Sequence, residues 1–125
     1  MTYKNVLTVS AILGFLYGLG FMFIPGQLVS FYSVTLNDSG LFVSQLFGAA
    51  LLGFGVLAWL GRDLNDAQGR QTVLTASFVM DALGFIFSLI AQLRGVGGIN
   101  ALGWTTVLIY LLLALAIGYL RFFSR

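Results

Sequence analysis

The order of apolar and polar positions divides this chain into four long apolar runs separated by short polar breaks. The runs cover Val6 to Ile24, Leu41 to Leu60, Thr72 to Leu93 and Trp104 to Leu120. Each holds roughly 17–22 residues, which at about 1.5 Å per residue is the length a helix needs to cross ~30 Å of hydrocarbon. They are apolar all round rather than alternately apolar and polar, which excludes the strands of a membrane barrel. In lipid the peptide groups must be satisfied inside the segment, so helices remain. The predicted fold is all-α: a polytopic membrane protein in which residues 1–125 form one membrane domain, a four-transmembrane-helix bundle.

The breaks carry matching punctuation. Pro25-Gly26 ends the first run, because proline disfavours helix in the residue before it. Arg62 to Arg70 reads as a polar turn in which Asp66 caps the third helix. Gly95, Gly97 and Gly98 close that helix, and Asn100 caps the fourth. Such short connections predict consecutive helices as antiparallel neighbours in a compact bundle. Between Gly26 and Leu36, the polar Ser30, Ser33 and Asn37 recur at helical spacing while Leu28, Phe31 and Tyr32 lie elsewhere on the wheel. This predicts a short amphipathic helix in the membrane interface, with an irregular loop as the alternative. The first run ends in Phe-Ile-Pro-Gly with no small-x-small cleavage site, so it is expected to be retained as a helix.

Charge supplies an orientation. With four spans, Lys4, Arg62, Arg70, Arg121 and Arg125 fall on one side and Arg94 alone on the other. The positive-inside rule then places both termini and the middle loop in the cytoplasm, in an inner (plasma) membrane.

Composition strengthens the membrane reading and removes much chemistry. Hydrophobic residues make up 59% and charged residues 8%, against about 45–50% and roughly 25% in ordinary soluble domains. A soluble globule of this size has too much surface for its volume to hide so much apolar area. The sequence contains neither Cys nor His. Disulfides, thiol chemistry, His- or Cys-ligated haem, zinc and copper sites of the usual kind, and Ser–His or Cys–His catalytic pairs are thereby excluded. Six basic and four acidic residues are too few and too scattered for a nucleic-acid surface.

Few residues are left to carry function. Asp81 sits near the middle of the third run, where an ionisable side chain is costly and marks a functional site by default. Counting from the cytoplasmic ends puts Tyr17 and Tyr110 at about the same depth, with either hydroxyl placed to reach the carboxyl. The functional reading is a proton- or cation-coupled site or a polar anchor for a ligand. The structural reading is a protonated carboxyl that hydrogen-bonds a neighbouring helix or partner subunit. Small residues four apart form a second pattern: Gly14 and Gly18, Ala49 and Gly53, Gly84 and Ser88, Ala114 and Gly118. Such pairs let helix backbones approach closely in lipid, within the chain or against a partner.

Aromatic residues form a third pattern. Phe15, Phe21, Phe23, Phe47 and Phe54 suit contact with lipid, a quinone or a pigment as well as ordinary packing. Trp59 and Trp104 fall near helix ends, where amphipathic rings favour the interface. Ser44, Gln45, Gln92 and Asn100 are expected near the outer helix ends, as an outward-facing polar pocket or as interfacial groups. The loop Arg62-Asp63-Leu64-Asn65-Asp66 reads as a solvated turn with local ion pairs.

The stretches Phe23-Ile24-Pro25-Gly26, Gly48-Ala49-Ala50-Leu51-Leu52-Gly53-Phe54-Gly55 and Trp59-Leu60-Gly61-Arg62-Asp63 are similar to small bacterial four-helix integral membrane proteins grouped as domains of unknown function. That resemblance covers most of the chain. It implies the architecture, and it brings no activity and no functional residues with it.

These observations lead to the expectation of a non-enzymatic accessory or scaffold subunit of a larger membrane complex, in contact with the bilayer and with other membrane subunits or further copies of itself. No cofactor is required, and a bound lipid, quinone or pigment would be held without His ligation. The alternative is a small-solute or proton-coupled transporter working through Asp81.

Overall fold

Polar caps, rather than the edges of the apolar runs, set where the helices begin. The computed structural model describes residues 2–123. Thr2 accepts from the Asn5 amide and starts α1 (Tyr3–Phe23); after the short α2 (Pro25–Ser30), Asn37 accepts from the Gly40 amide and starts α3 (Asp38–Gly61). Asp66 caps α4 (Ala67–Arg94) through the Gly69 amide at 2.7 Å, as its sequence position predicts. These three helices therefore start three to five residues before the predicted runs, because a capped polar first turn sits outside the hydrocarbon that hydropathy detects. Gly95, in the left-handed conformation at φ 64°, ends α4, a backbone setting that glycine adopts without steric cost. Asn100 then caps a 3-10 turn at Ala101–Gly103 that leads into α5 (Trp104–Gly118), and a π-helical turn at Tyr119–Phe123 extends it.

The amphipathic segment predicted over Gly26 to Leu36 is helical only over its first part. Ser33 takes a left-handed conformation, φ 62°, and the Ser33 and Val34 amides donate back to the Ser30 and Val29 carbonyls. This is the hydrogen-bond pattern of a Schellman stop, so the chain from there to Asn37 is not helical.

The result is an all-α four-helix bundle. Among the described residues, four helices, α1, α3, α4 and Ala101–Phe123, are long and apolar enough to cross a membrane. Leu16, Leu60, Leu93 and Leu112 on their outer faces are 64, 68, 70 and 63% exposed, apolar surface that lipid solvates and water does not. The chain is a membrane protein.

The helices pair unequally. α1 packs along α3 and α4 along α5, whereas α3 and α4 hardly touch. Consecutive long helices are thus not uniformly close neighbours; the bundle is two hairpins, joined by a buried apolar core at one end and by hydrogen bonds from Asn100 at the other. The end with the core is basic. Tyr3 donates to the Gly61 carbonyl at 2.8 Å, Lys4 pairs with Asp63 at 3.3 Å, and Arg121 Nε donates to Thr75 Oγ1 at 2.6 Å. The Arg70 guanidinium lies 4.6 Å from the Tyr3 ring centre and that of Arg62 3.6 Å from the Trp59 ring. Arg94 lies at the opposite end of α4, and Arg125 lies outside the described residues. Tyr3, Val6, Leu7, Val73, Leu74 and Ile117 form the buried core immediately behind the basic end.

Small residues explain the tight α1–α3 contact. A Cβ on Gly18 would stand 2.8 Å from the Leu52 amide nitrogen and 2.9 Å from the Gly48 carbonyl; one on Gly14 would stand 2.9 Å from the Leu51 carbonyl. The facing seam on α3 is Gly48 and Gly55. Ala49 and Gly53, the pair picked from spacing, point away: both are exposed, and a Cβ on Gly53 would meet nothing within 4 Å. Ala114 and Gly118 are buried on α5, with Gly118 against the Phe78 ring.

Candidate functional site

Between their two joined ends the hairpins leave a cavity of about 350 Å³. Ser10, Gly14 and Tyr17 line it from α1, and Leu51 and Phe54 from α3. Asp81, Gly84 and Ser88 line it from α4, and Thr106 and Tyr110 from α5. The walls are overwhelmingly apolar. Phe87 both lines the cavity and is 66% exposed, so the space reaches the surface between the hairpins. Tyr32, from the segment after α2, lines it at the end opposite the basic cluster.

Asp81 marks the inner end. It lies midway along α4 and is 1% exposed, and neither carboxyl oxygen has a hydrogen-bond partner. Two further buried hydroxyls without partners accompany it: Ser77, one turn earlier on α4, and Ser10 across the cavity on α1. Unpaired polar atoms in such a setting are each costly, and Asp81 is the only acidic residue in the interior of the four spans, Asp38 being the first residue of α3.

Of the predicted constellation, Tyr17, Asp81 and Tyr110 line the same cavity. The expected hydrogen bond does not form, since both Asp81 oxygens lack partners. The rings serve instead as walls. The Tyr110 ring packs directly on Gly84, where any Cβ would collide with it; Gly84 is therefore glycine so that an aromatic face can lie one turn from the carboxyl. Tyr17 stacks on Phe21 at 6.5 Å, and Phe21 meets Phe47 edge-on at 5.1 Å. This aromatic chain connects α1 to α3 along the cavity. Of the other phenylalanines singled out, Phe15 packs toward Trp59 at 6.4 Å, and Phe23 is 73% exposed. Ser88 lines the cavity while its hydroxyl donates to the Phe85 carbonyl.

Gln45, Gln92 and Asn100, near the outer end, donate to backbone carbonyls. Gln45 donates to the Met22 carbonyl at 3.2 Å and Gln92 to the Asn100 carbonyl at 3.0 Å. Asn100 ties the connection after α4 to the segment after α2. Its side chain donates to the Phe31 carbonyl and Ser33 Oγ, each at 3.0 Å, and its amide to the Tyr32 carbonyl at 2.9 Å. The latch thus holds Tyr32 at the cavity's outer end. In the loop carboxylates, Asp63 is ion-paired and Asp66 is a cap, which leaves no acid–base pair poised there.

Sequence spacing missed Ser10 and the Gly48–Gly55 seam. It missed Ser77 as well, although a serine four residues from Asp81 lies on the same helical face and its spacing could have found it. In comparison with known proteins, no family model, no curated protein and no solved structure matches this chain.

Proposed function

We propose that this protein is a non-enzymatic carrier that takes a small, largely apolar solute into the cavity between its hairpins and anchors it at Asp81. One observation carries the reading: a fully buried carboxyl with no partner lines an intramembrane cavity. A carboxyl kept only for structure would bond a neighbouring helix, because its desolvation is otherwise uncompensated. The volume falls within the ~300–1,000 Å³ range of small-molecule sites, and apolar walls with few polar groups are typical of them. In this proposal both termini and the basic end face the cytoplasm, across a bacterial inner membrane, in keeping with the charge bias. Native mass spectrometry of the chain released from mild detergent tests the carrier reading. The expected spectrum has an adduct of constant mass that disappears in Ser88→Phe, where a ring fills the cavity. A ligand-free spectrum, or an adduct indifferent to Ser88→Phe, counts against it.

A second reading, an accessory subunit of a larger assembly, is favoured by Ala49 and Gly53, a small-residue pair on the exposed face of α3 that the chain itself does not use. Its partner would be another membrane helix or a second copy. Migration of the chain alone in mild detergent, with no stoichiometric companion, would remove that reading.

A further inference from the structure

Resting on the carrier reading, the nature of the cavity wall narrows the solute. We infer that the cavity selects a monovalent organic cation with an apolar body, its charge held between the Asp81 carboxylate and aromatic faces.

Three features carry this. First, among the described residues Asp81 is the only charged side chain lining the cavity, so no basic residue of the lining offsets a carboxylate there. A ligand carrying one positive charge neutralises the site within the membrane, whereas an anion would leave two like charges close together in a medium that screens them poorly. Secondly, aromatic rings come from all four long helices: Tyr17 and Phe21 from α1, Phe47 and Phe54 from α3, Phe87 from α4 and Tyr110 from α5. The negative faces of such rings attract an ammonium, more strongly when it is desolvated. Gly84 brings one of these rings, that of Tyr110, within one turn of the carboxyl. Thirdly, the walls are too apolar for an inorganic ion. A hard metal cation takes six or more oxygen ligands, and beyond Asp81 the lining offers only scattered hydroxyls.

A neutral ligand such as a quinone fits the aromatic walls equally well. It leaves unexplained why the polar groups at the inner end include an acid rather than hydroxyls alone.

A pair of probes of matched shape separates the two: benzyltrimethylammonium and neopentylbenzene, which differ in the charged nitrogen. Each is titrated calorimetrically into the full chain in nanodiscs, with empty nanodiscs as reference. The cation is expected to bind at least about tenfold more tightly than its neutral counterpart. Asp81→Asn should remove that preference while keeping neopentylbenzene binding, which also shows that the variant is folded, and Asp81→Glu should retain it. Equal binding of the two probes by the native chain, or a cation preference that survives Asp81→Asn, overturns the inference and leaves the carrier reading in place. Binding of neither probe overturns both. If Asp81→Asn fails to fold, the comparison of the two probes on the native chain decides alone.

Discussion

At the residue scale, Asp81 works against the stability of the molecule that contains it. Its two oxygens are buried without partners, and an unsatisfied buried polar group costs about 1–3 kcal/mol. Replacing it by an apolar residue that extends into the cavity should therefore stabilise the fold while abolishing the site. Asp81→Leu is expected to raise the free energy of unfolding in a detergent titration by about 1–3 kcal/mol; a clear loss would mean that the carboxyl is structural. Asp81 was legible in the sequence because an acid inside an apolar run is costly and stands out by its residue type alone. Its separation from the Tyr17 and Tyr110 hydroxyls was not, because depth counting fixes height along the bundle and says nothing about how each helix is rotated or about the gap between hairpins.

At the element scale, glycine placement decides which helices touch. A Cβ on Gly48 would stand 2.6 Å from the Gly18 carbonyl and 2.8 Å from the Met22 amide nitrogen, and neither backbone can yield without parting α1 from α3. Gly48→Leu should accordingly destabilise the protein by about 1–3 kcal/mol or more, as overpacking does. Gly53→Leu, facing outward with nothing within 4 Å, should leave the unfolding midpoint unchanged in the same titration. Similar losses for both would show that the seam has been assigned to the wrong residues. Spacing points to Ala49 and Gly53 because they are small residues four apart, whereas the seam starts one residue earlier at Gly48, a rotation of about 100° around the helix.

The Asn100 latch belongs to this scale as well. Its side chain supplies two hydrogen bonds to the segment after α2. Asn100→Ala should cost about 1–2 kcal/mol and speed amide exchange at Ser33 and Val34. Unchanged exchange there would mean that the latch does not hold the segment. Asn100 was expected to cap a helix, and the Leu102 amide does donate to it; its hold on residues 31–33 joins parts of the chain too far apart in sequence for local rules to reach.

At the scale of the whole molecule, one asymmetry organises the rest. The basic end is sealed by the core of Tyr3, Val6, Leu7, Val73, Leu74 and Ile117, and beyond it the hairpins diverge around a cavity before the Asn100 hydrogen bonds tie their far ends. Hydropathy and loop charge were enough to read four spans and to gather the cations at one end, because both follow from the water–lipid boundary. The divergence was not legible. It depends on how closely each hairpin packs, and hence on which face each glycine occupies.

A carrier of this design requires that a small molecule reach Asp81 through an apolar cavity, and carbodiimide labelling tests that access directly. Asp38, Asp63 and Asp66 are exposed near helix ends, which leaves Asp81 as the one side-chain carboxyl within reach only through the membrane. In native membranes, the apolar reagent dicyclohexylcarbodiimide should modify Asp81, as located by peptide mass spectrometry. A water-soluble carbodiimide should not, and Ser88→Phe should protect Asp81 from the apolar reagent. An Asp81 that resists the apolar reagent, or reacts equally in Ser88→Phe, would contradict an open, solute-accessible cavity.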